Sequence, residues 1–164
     1  MLLIDKKTKQ IEHCSAENIT SDVLTSTEPL ILKGLVADWP LTKLGRESAH
    51  KASEYLLQFY NNKPVNVALG EPSTKGRIFY SSDFTGFNYQ SLRVSMKILL
   101  DKLEQHSSDS SPPTIYMAST MVDHWLPEFR NENDLLLAPI NPLASIWIGN
   151  KTRIAAHYDL PDNI

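Results

Sequence analysis

His157 and Asp159 stand two residues apart near the end of the sequence, in the stretch RIAAHYDLPDNI. Residues i and i+2 of a β-strand point to the same face, so this spacing predicts that the two side chains project together, opposite Tyr158. An imidazole nitrogen and a carboxylate oxygen are two of the three ligands in the facial triad that holds Fe(II). The pair therefore predicts a metal site, although a His–Asp pair on a strand is more often a surface hydrogen bond.

The composition is that of a folded domain. The chain has 164 residues, of which 41% are hydrophobic and 21% are charged, and these values predict one globular domain. A formal net charge of -3 gives no signal for nucleic acid. Without an apolar run of membrane-spanning length or a signal peptide, we expect a cytoplasmic protein with no membrane partner. Cys14 is the only cysteine, which excludes a disulfide framework and a thiolate metal cluster.

Two segments have the spacing of amphipathic helices. The first of them runs from Ser48 to Tyr60. In addition to these two, a shorter helical stretch is predicted after Ser15. The stretch ADWPLTKLG is predicted as a loop or a broken turn, because Pro40 disfavours helix at the preceding Trp39. The second amphipathic segment is SLRVSMKILLDKLEQ, and its predicted apolar face consists of Leu92, Met96, Leu99, Leu100 and Leu103.

Short apolar or alternating runs bounded by turn residues predict the strands. These runs are EPLILKGLV, PVNVALG, GRIFYSS and TIYMAS, followed by two strands from about Ala144 to Gly149 and from Thr152 to Asp159. Helices are concentrated early in the chain and strands late, so the pattern predicts an α+β fold. Trp39, Trp125 and Trp147 have apolar neighbours and are predicted to anchor the core.

The stretch ASIWIGNKTRIAAHYDLPDNI resembles the cupin-like JmjC family of Fe(II)- and 2-oxoglutarate-dependent oxygenases. In that family a strand with a glycine-containing turn leads into a strand carrying H-x-D, and an asparagine follows. Gly149, His157, Asp159 and Asn163 occupy those positions here. EPLILKGLVADWP, GRIFYSSDFTGFNYQ and TIYMAS also resemble segments of the family in the same order, so the resemblance runs from about Glu28 to the end.

The resemblance implies a fold and a set of site residues. Helices and strands at the N-terminus would lead into the first strands of a double-stranded β-helix barrel. His157 and Asp159 would bind iron, while Tyr116 and Asn163 would contact the co-substrate 2-oxoglutarate. Tyr116 could equally be an aromatic residue packed on the core. Some family members have a threonine that binds the co-substrate three residues before the histidine, and this chain has Ile154 there.

The family places its second iron-binding histidine, and the basic residue that anchors 2-oxoglutarate, after H-x-D. Because the sequence stops at Ile164, we expect residues 1–164 to be the N-terminal part of a single cupin-like JmjC domain. The barrel of this part would be incomplete at the C-terminus. Two protein ligands alone would bind Fe(II) weakly, so we expect no 2-oxoglutarate turnover from these residues by themselves.

The leading functional hypothesis is an oxygenase that uses 2-oxoglutarate and oxygen to hydroxylate a protein side chain or a related substrate. The alternative is a non-catalytic cupin-like binding module, which the isoleucine at position 154 favours. A cupin that holds another divalent metal for non-oxidative chemistry is a third reading, because H-x-D does not select iron strictly. The substrate and the formation of a homodimer are left open by the sequence.

Overall fold

The structure is a computed structural model that describes residues 6–16 and 19–157. Its helices and strands confirm the predicted α+β class. The first part comprises β1 (Lys9–Ile11), α1 (Ser21–Leu24), β2 (Leu30–Leu32), α2 (Pro40–Glu47), α3 (Ala49–Phe59) and β3 (Val65–Gly70). The second part comprises β4 (Tyr89–Val94), α4 (Met96–Gln105), β5 (Thr114–Met121), α5 (Val122–Trp125) and β6 (Ser145–Gly149). Short 3-10 turns follow β3 and α5, at Pro72–Thr74 and Phe129–Asn131.

Four strands form one antiparallel sheet with the order β4-β3-β5-β6. β1 and β2 pair in parallel as a separate two-stranded sheet. Within the described residues the larger sheet is open, because β4 and β6 lie at its two edges and do not pair with each other. The sheet therefore has one face for a hydrophobic core and a second face that is available for a binding site.

The core lies between the sheet and helices α3 and α4. Successive strand residues point to opposite faces, and Val65, Val67, Ile115 and Met117 are buried on the helical face. The same cluster includes the residues of α4 that were predicted to be apolar and buried, Met96, Leu99 and Leu100. The periodicity of α4 thus correctly predicted the side that packs on the sheet, and Lys97 and Asp101 form an ion pair on its exposed side.

Leu92 is a correction to the predicted helix. It lies in β4 and is 37% exposed, whereas the helix begins four residues later at Met96. β4 ends at Val94, and the next residue, Ser95, caps the helix because its side chain accepts a hydrogen bond from the Ile98 N–H. Leu92 matches the helical spacing because it lies four positions before Met96, although the helix has not yet begun there.

Helix α2 is a second correction, since its sequence was predicted to be a loop or a broken turn. Pro40 is the first residue of this helix and Trp39 is its N-cap in an extended conformation. Proline is favoured at the first helical position, where its missing N–H would have no partner in the helix. The proline excluded helix at Trp39, as predicted, but it starts a helix rather than preventing one.

The segment GRIFYSS, predicted as a strand, forms one side of a tight hairpin, and the strand prediction is wrong. Its only ladder contacts within the described chain are isolated bridges, Arg77 with Arg153 and Tyr80 with Phe87. The Asn88 side chain closes the hairpin: its Oδ1 accepts from the Phe79 N–H at 2.9 Å and its Nδ2 donates to the Arg77 carbonyl at 2.8 Å. We refer to residues 77–88 as the aromatic hairpin.

The last predicted strand, from Thr152 to Asp159, is described only as far as position 157. In this part Arg153 forms the isolated bridge to Arg77, and residues 154–157 have no strand pairing. Tyr158 and Asp159 lie outside the described residues. No helix of the described chain has the length and apolar character needed to cross a bilayer.

Replacing Leu99 with alanine tests the assignment of the core face. Leu99 is 1% exposed, so we expect the L99A variant to lose about 2–5 kcal/mol of unfolding free energy through lost burial and a residual cavity. Ile98, the preceding residue of the same helix, is 50% exposed and serves as the matched control. I98A should cost less than about 1 kcal/mol in the same urea titrations. Equal losses for the two variants would contradict the orientation of α4.

Candidate functional site

A cleft of about 1070 Å³ lies on the face of the sheet opposite the helices. Its floor is formed by the cleft-facing residues of β5 and β6, including Tyr116, Trp147 and Gly149. One side is formed by the segment after β6, which contributes Ile154 and His157. The other side comes from α2's N-cap and from the segment before β6, and includes Trp39, Arg130, Asn133, Asp134 and Leu143.

The pairing of β5 with β6 brings Tyr116 directly opposite Gly149. A Cβ atom added to Gly149 would lie 3.0 Å from Cδ2 of Tyr116 and 2.9 Å from the Ile115 carbonyl oxygen. Oγ1 of Thr152 would be nearer still, at 2.7 Å, so these three groups together crowd the space that a side chain at position 149 would need. The strand register shifts between Met117 and Thr120, and Ser119 in this irregular stretch also borders the cleft.

Tyr116 is half-buried and lines the cleft rather than the hydrophobic core. Burial raises the pKa of its hydroxyl above the ordinary tyrosine value. The group is therefore protonated at neutral pH and can donate a hydrogen bond. Among the described residues the structure shows no hydrogen bond to this hydroxyl.

His157 is exposed on the same cleft, and its ring contacts the backbone. Nδ1 lies 2.9 Å from the carbonyl oxygen of Ala155. A carbonyl only accepts hydrogen bonds, so Nδ1 carries the hydrogen in this contact, and in that tautomer the lone pair is on Nε2. Histidines that bind metals commonly donate their second ring N–H to a carbonyl in this way.

Two of the four site residues predicted from the sequence are thus described, and both border one cleft. Asp159 and Asn163 lie outside the described residues, so their roles, and the shared face of His157 and Asp159, stay predictions. Within residues 6–16 and 19–157, no three His, Cys, Asp or Glu side chains are grouped to hold a metal ion.

A polar network that the sequence analysis did not identify supports the far wall of the cleft. Arg130 forms ion pairs with Asp134 at 2.9 Å and with Asp123 at 3.1 Å. The buried Asn133 donates from Nδ2 to the Tyr55 hydroxyl and the Phe129 carbonyl, while its Oδ1 accepts from the Leu41 N–H. The polar stretch EFRNEND resembles an ordinary surface loop, and no spacing in it indicated a buried network.

The tryptophans differ from their predicted common role. Trp125 packs against the core cluster, as predicted. Trp147 is 55% exposed and projects into the cleft from β6, so its assignment to the core was wrong. It alternates with the core-facing Ile146 and Ile148 along the strand, and this alternation is the signal that would have placed it on the opposite face.

Substituting Gly149 tests the close approach on which the cleft floor depends. We expect G149A to cost about 1–3 kcal/mol, because the new methyl group meets backbone at Ile115 as well as the tyrosine ring. Gly86 has nothing within 4 Å of its added Cβ, so G86A should change stability by no more than about 0.5 kcal/mol. Denaturant titrations give both values, and shifted ring resonances of Tyr116 in G149A alone would locate the strain. Unchanged resonances and stability in G149A would contradict the register of β5 and β6.

Comparison with known proteins agrees with the resemblance seen in the motifs. The family model described as "Cupin-like domain" matches residues 16–164, which is most of the chain. No curated protein and no solved structure gives a match. The family match begins upstream of the first segment recognised in the sequence and continues through the H-x-D motif. The chain belongs to the cupin-like domain family.

Proposed function

We propose that this cupin-like chain supplies the first two iron ligands and a co-substrate contact of an Fe(II)- and 2-oxoglutarate-dependent oxygenase. The proposed reaction is hydroxylation of a protein side chain or of a related substrate. The observation that carries the proposal is that His157 and Tyr116, from separate segments, border the same cleft. His157 has the chemistry of a metal ligand, and the Tyr116 hydroxyl can donate a hydrogen bond to a carboxylate.

The donor set fits Fe(II) as far as it is described. In the proposal His157 would bind the metal through Nε2, since Nδ1 contacts the Ala155 carbonyl, and a carboxylate from Asp159 would complete a nitrogen–oxygen pair that suits this metal. The third ligand of the triad is a histidine that the family places after H-x-D. The proposal therefore applies to a form of the protein that carries such a histidine.

Tyr116 would position the co-substrate. Its hydroxyl, which like that of any tyrosine is protonated at neutral pH, can donate a hydrogen bond to a carboxylate oxygen of 2-oxoglutarate, and burial raises its pKa further. When bound, Fe(II) and 2-oxoglutarate supply the oxidising chemistry with O₂. Trp39, Trp147 and Leu143 border the same cleft and would limit the access of water to the reacting groups.

The second candidate function is a non-catalytic binding module with the same fold. Ile154 favours it, because this residue lines the cleft and is 47% exposed there. An aliphatic side chain cannot donate the hydrogen bond that a threonine gives to the co-substrate in some family members. The two functions differ in whether succinate is formed when iron and 2-oxoglutarate are supplied.

The test is succinate formation by anaerobically prepared, iron-loaded protein that carries a histidine after Asp159. We expect H157A to abolish succinate formation and to weaken Fe(II) binding measured separately by calorimetry. His124 is the matched control, since it is also exposed and contacts Lys63 rather than the cleft. H124A should keep both properties. Succinate formation by H157A at the parental rate would remove the iron assignment, and the binding-module function would then lead.

A separate variant tests the co-substrate contact. Y116F removes one hydrogen-bond donor, so the dissociation constant for 2-oxoglutarate should rise by roughly twofold to tenfold, equivalent to about 0.5–1.5 kcal/mol. Y80F is the control, because Tyr80 lies in the aromatic hairpin and does not line the cleft. The same affinity for 2-oxoglutarate in Y116F and the parent would show that this hydroxyl does not contact the co-substrate.

A further inference from the structure

The aromatic hairpin exposes an unusual amount of aromatic surface. Phe84 is 73% exposed and Phe87 is 58% exposed, and Phe79 and Tyr80 are each 51% exposed. Single exposed apolar residues are common, but contiguous groups of large ones mark interaction surfaces. These four rings form one group, because Tyr80 contacts each of the other three at centroid distances of 5.3–6.2 Å.

The rings are held by an ordered turn. The Asp83 carboxylate accepts from the Ser81 hydroxyl at 2.6 Å and from the Thr85 N–H at 3.1 Å. The Ser81 N–H also donates to the Gly86 carbonyl, and the Asn88 side chain adds its hydrogen bonds to Phe79 and Arg77. Because the backbone is already fixed, a partner that covers the rings would pay little of the entropy cost of ordering this surface.

The base of the hairpin is basic. Lys75, Arg77 and Arg153 are exposed, and none of them forms an ion pair with a carboxylate in the described part of the chain. Lys75 and Arg153 border a cavity of about 320 Å³ together with Lys151, and no acidic residue lines this cavity. Asp83 is the single carboxylate of the hairpin, and its own loop already supplies it with donors. The charge of the surface is therefore net positive.

We propose that the aromatic hairpin and these basic residues form a docking surface for an acidic segment of a partner protein. Apolar side chains of the segment would pack on Phe84 and Phe87, and its carboxylates would pair with Lys75, Arg77 and Arg153. This surface goes beyond the proposed oxygenase function and does not require it. A neutral apolar partner would leave the cations unused, and a basic partner would be repelled by them.

The surface lies next to the candidate site. The Arg153 N–H donates to the Gly76 carbonyl at 2.8 Å, and Arg77 forms a bridge with Arg153. Arg153 belongs to the same short segment as His157, whose side chain borders the cleft. A protein docked on the hairpin is consequently held beside the mouth of the cleft.

Three matched peptides test the charge of the partner. Each has two leucines that flank a run of glutamate, glutamine or lysine, and carries a fluorescent label for anisotropy titrations with the whole chain. We expect the glutamate peptide to bind most tightly and its affinity to fall as salt rises, because exposed charges are screened. Equal binding of the glutamine peptide, tighter binding of the lysine peptide, or no binding of any peptide would each overturn the proposal.

Paired variants test the location. F84S/F87S should weaken binding of the glutamate peptide by about tenfold or more, since aromatic anchors dominate such surfaces. K75Q/R77Q should weaken it by roughly threefold to tenfold. The control is K97Q/K102Q, which removes the same charge from the exposed side of α4. An equal loss in the control would show that only net charge matters and would overturn the proposal.

Sedimentation of the chain without peptide tests whether a second copy covers the hairpin instead. We expect a monomer over the concentrations of the titration. A dimer that F84S/F87S dissociates, together with no preference for the glutamate peptide, would assign the surface to self-association and overturn the proposal. Circular dichroism spectra matching the parent exclude unfolding as the cause in each variant.

Discussion

The close approach of Tyr116 to Gly149 across the β5–β6 pair fixes the position of the cleft. A Cβ atom at position 149 would lie 3.0 Å from the ring of Tyr116, 2.9 Å from the Ile115 carbonyl oxygen and 2.7 Å from Oγ1 of Thr152, so the glycine allows these groups to pack closely on the cleft side of the two strands. The chain then leaves β6 at Gly149 and passes along the side of the cleft to His157. The relative placement of the two predicted site residues depends on this pairing of β5 with β6 and on the path of the segment after it.

The sheet divides packing and binding between its two faces. Val65, Val67, Ile115 and Met117 are buried against the helices, and this face supplies the hydrophobic stabilisation of the domain. The other face can therefore carry half-exposed groups such as Tyr116 and Trp147 without loss of the core. The aromatic hairpin extends from the same region, and its base is hydrogen-bonded to the segment that leads to His157. Binding at the hairpin and at the cleft would involve one continuous part of the molecule.

Periodicity predicted the buried side of α4 and the strand character of β3, β5 and β6, because the core imposes these patterns on the sequence. Prediction from periodicity failed where the backbone geometry or the side-chain hydrogen bonds of a single residue decide the local structure. Pro40 starts a helix, Ser95 separates β4 from α4, and Asn88 converts an apolar run into a hairpin. Motif resemblance identified Tyr116 and His157, but their shared cleft depends on the strand register, which local sequence does not encode. The Asn133 side chain also joins distant segments, through Tyr55 and Leu41, and no local sequence pattern indicates these contacts.

The most direct test of the central claim is a titration of the isotopically labelled chain with Mn(II), followed by paramagnetic broadening in NMR spectra. Mn(II) is stable in air and accepts the same nitrogen and oxygen ligands as Fe(II), and weak binding is sufficient for this measurement. If the cleft is the metal site, the imidazole resonances of His157 and the ring resonances of Tyr116 broaden together at the lowest metal concentrations. Broadening that begins at exposed carboxylates such as Asp38 and Glu47, with His157 and Tyr116 unchanged, would contradict the account.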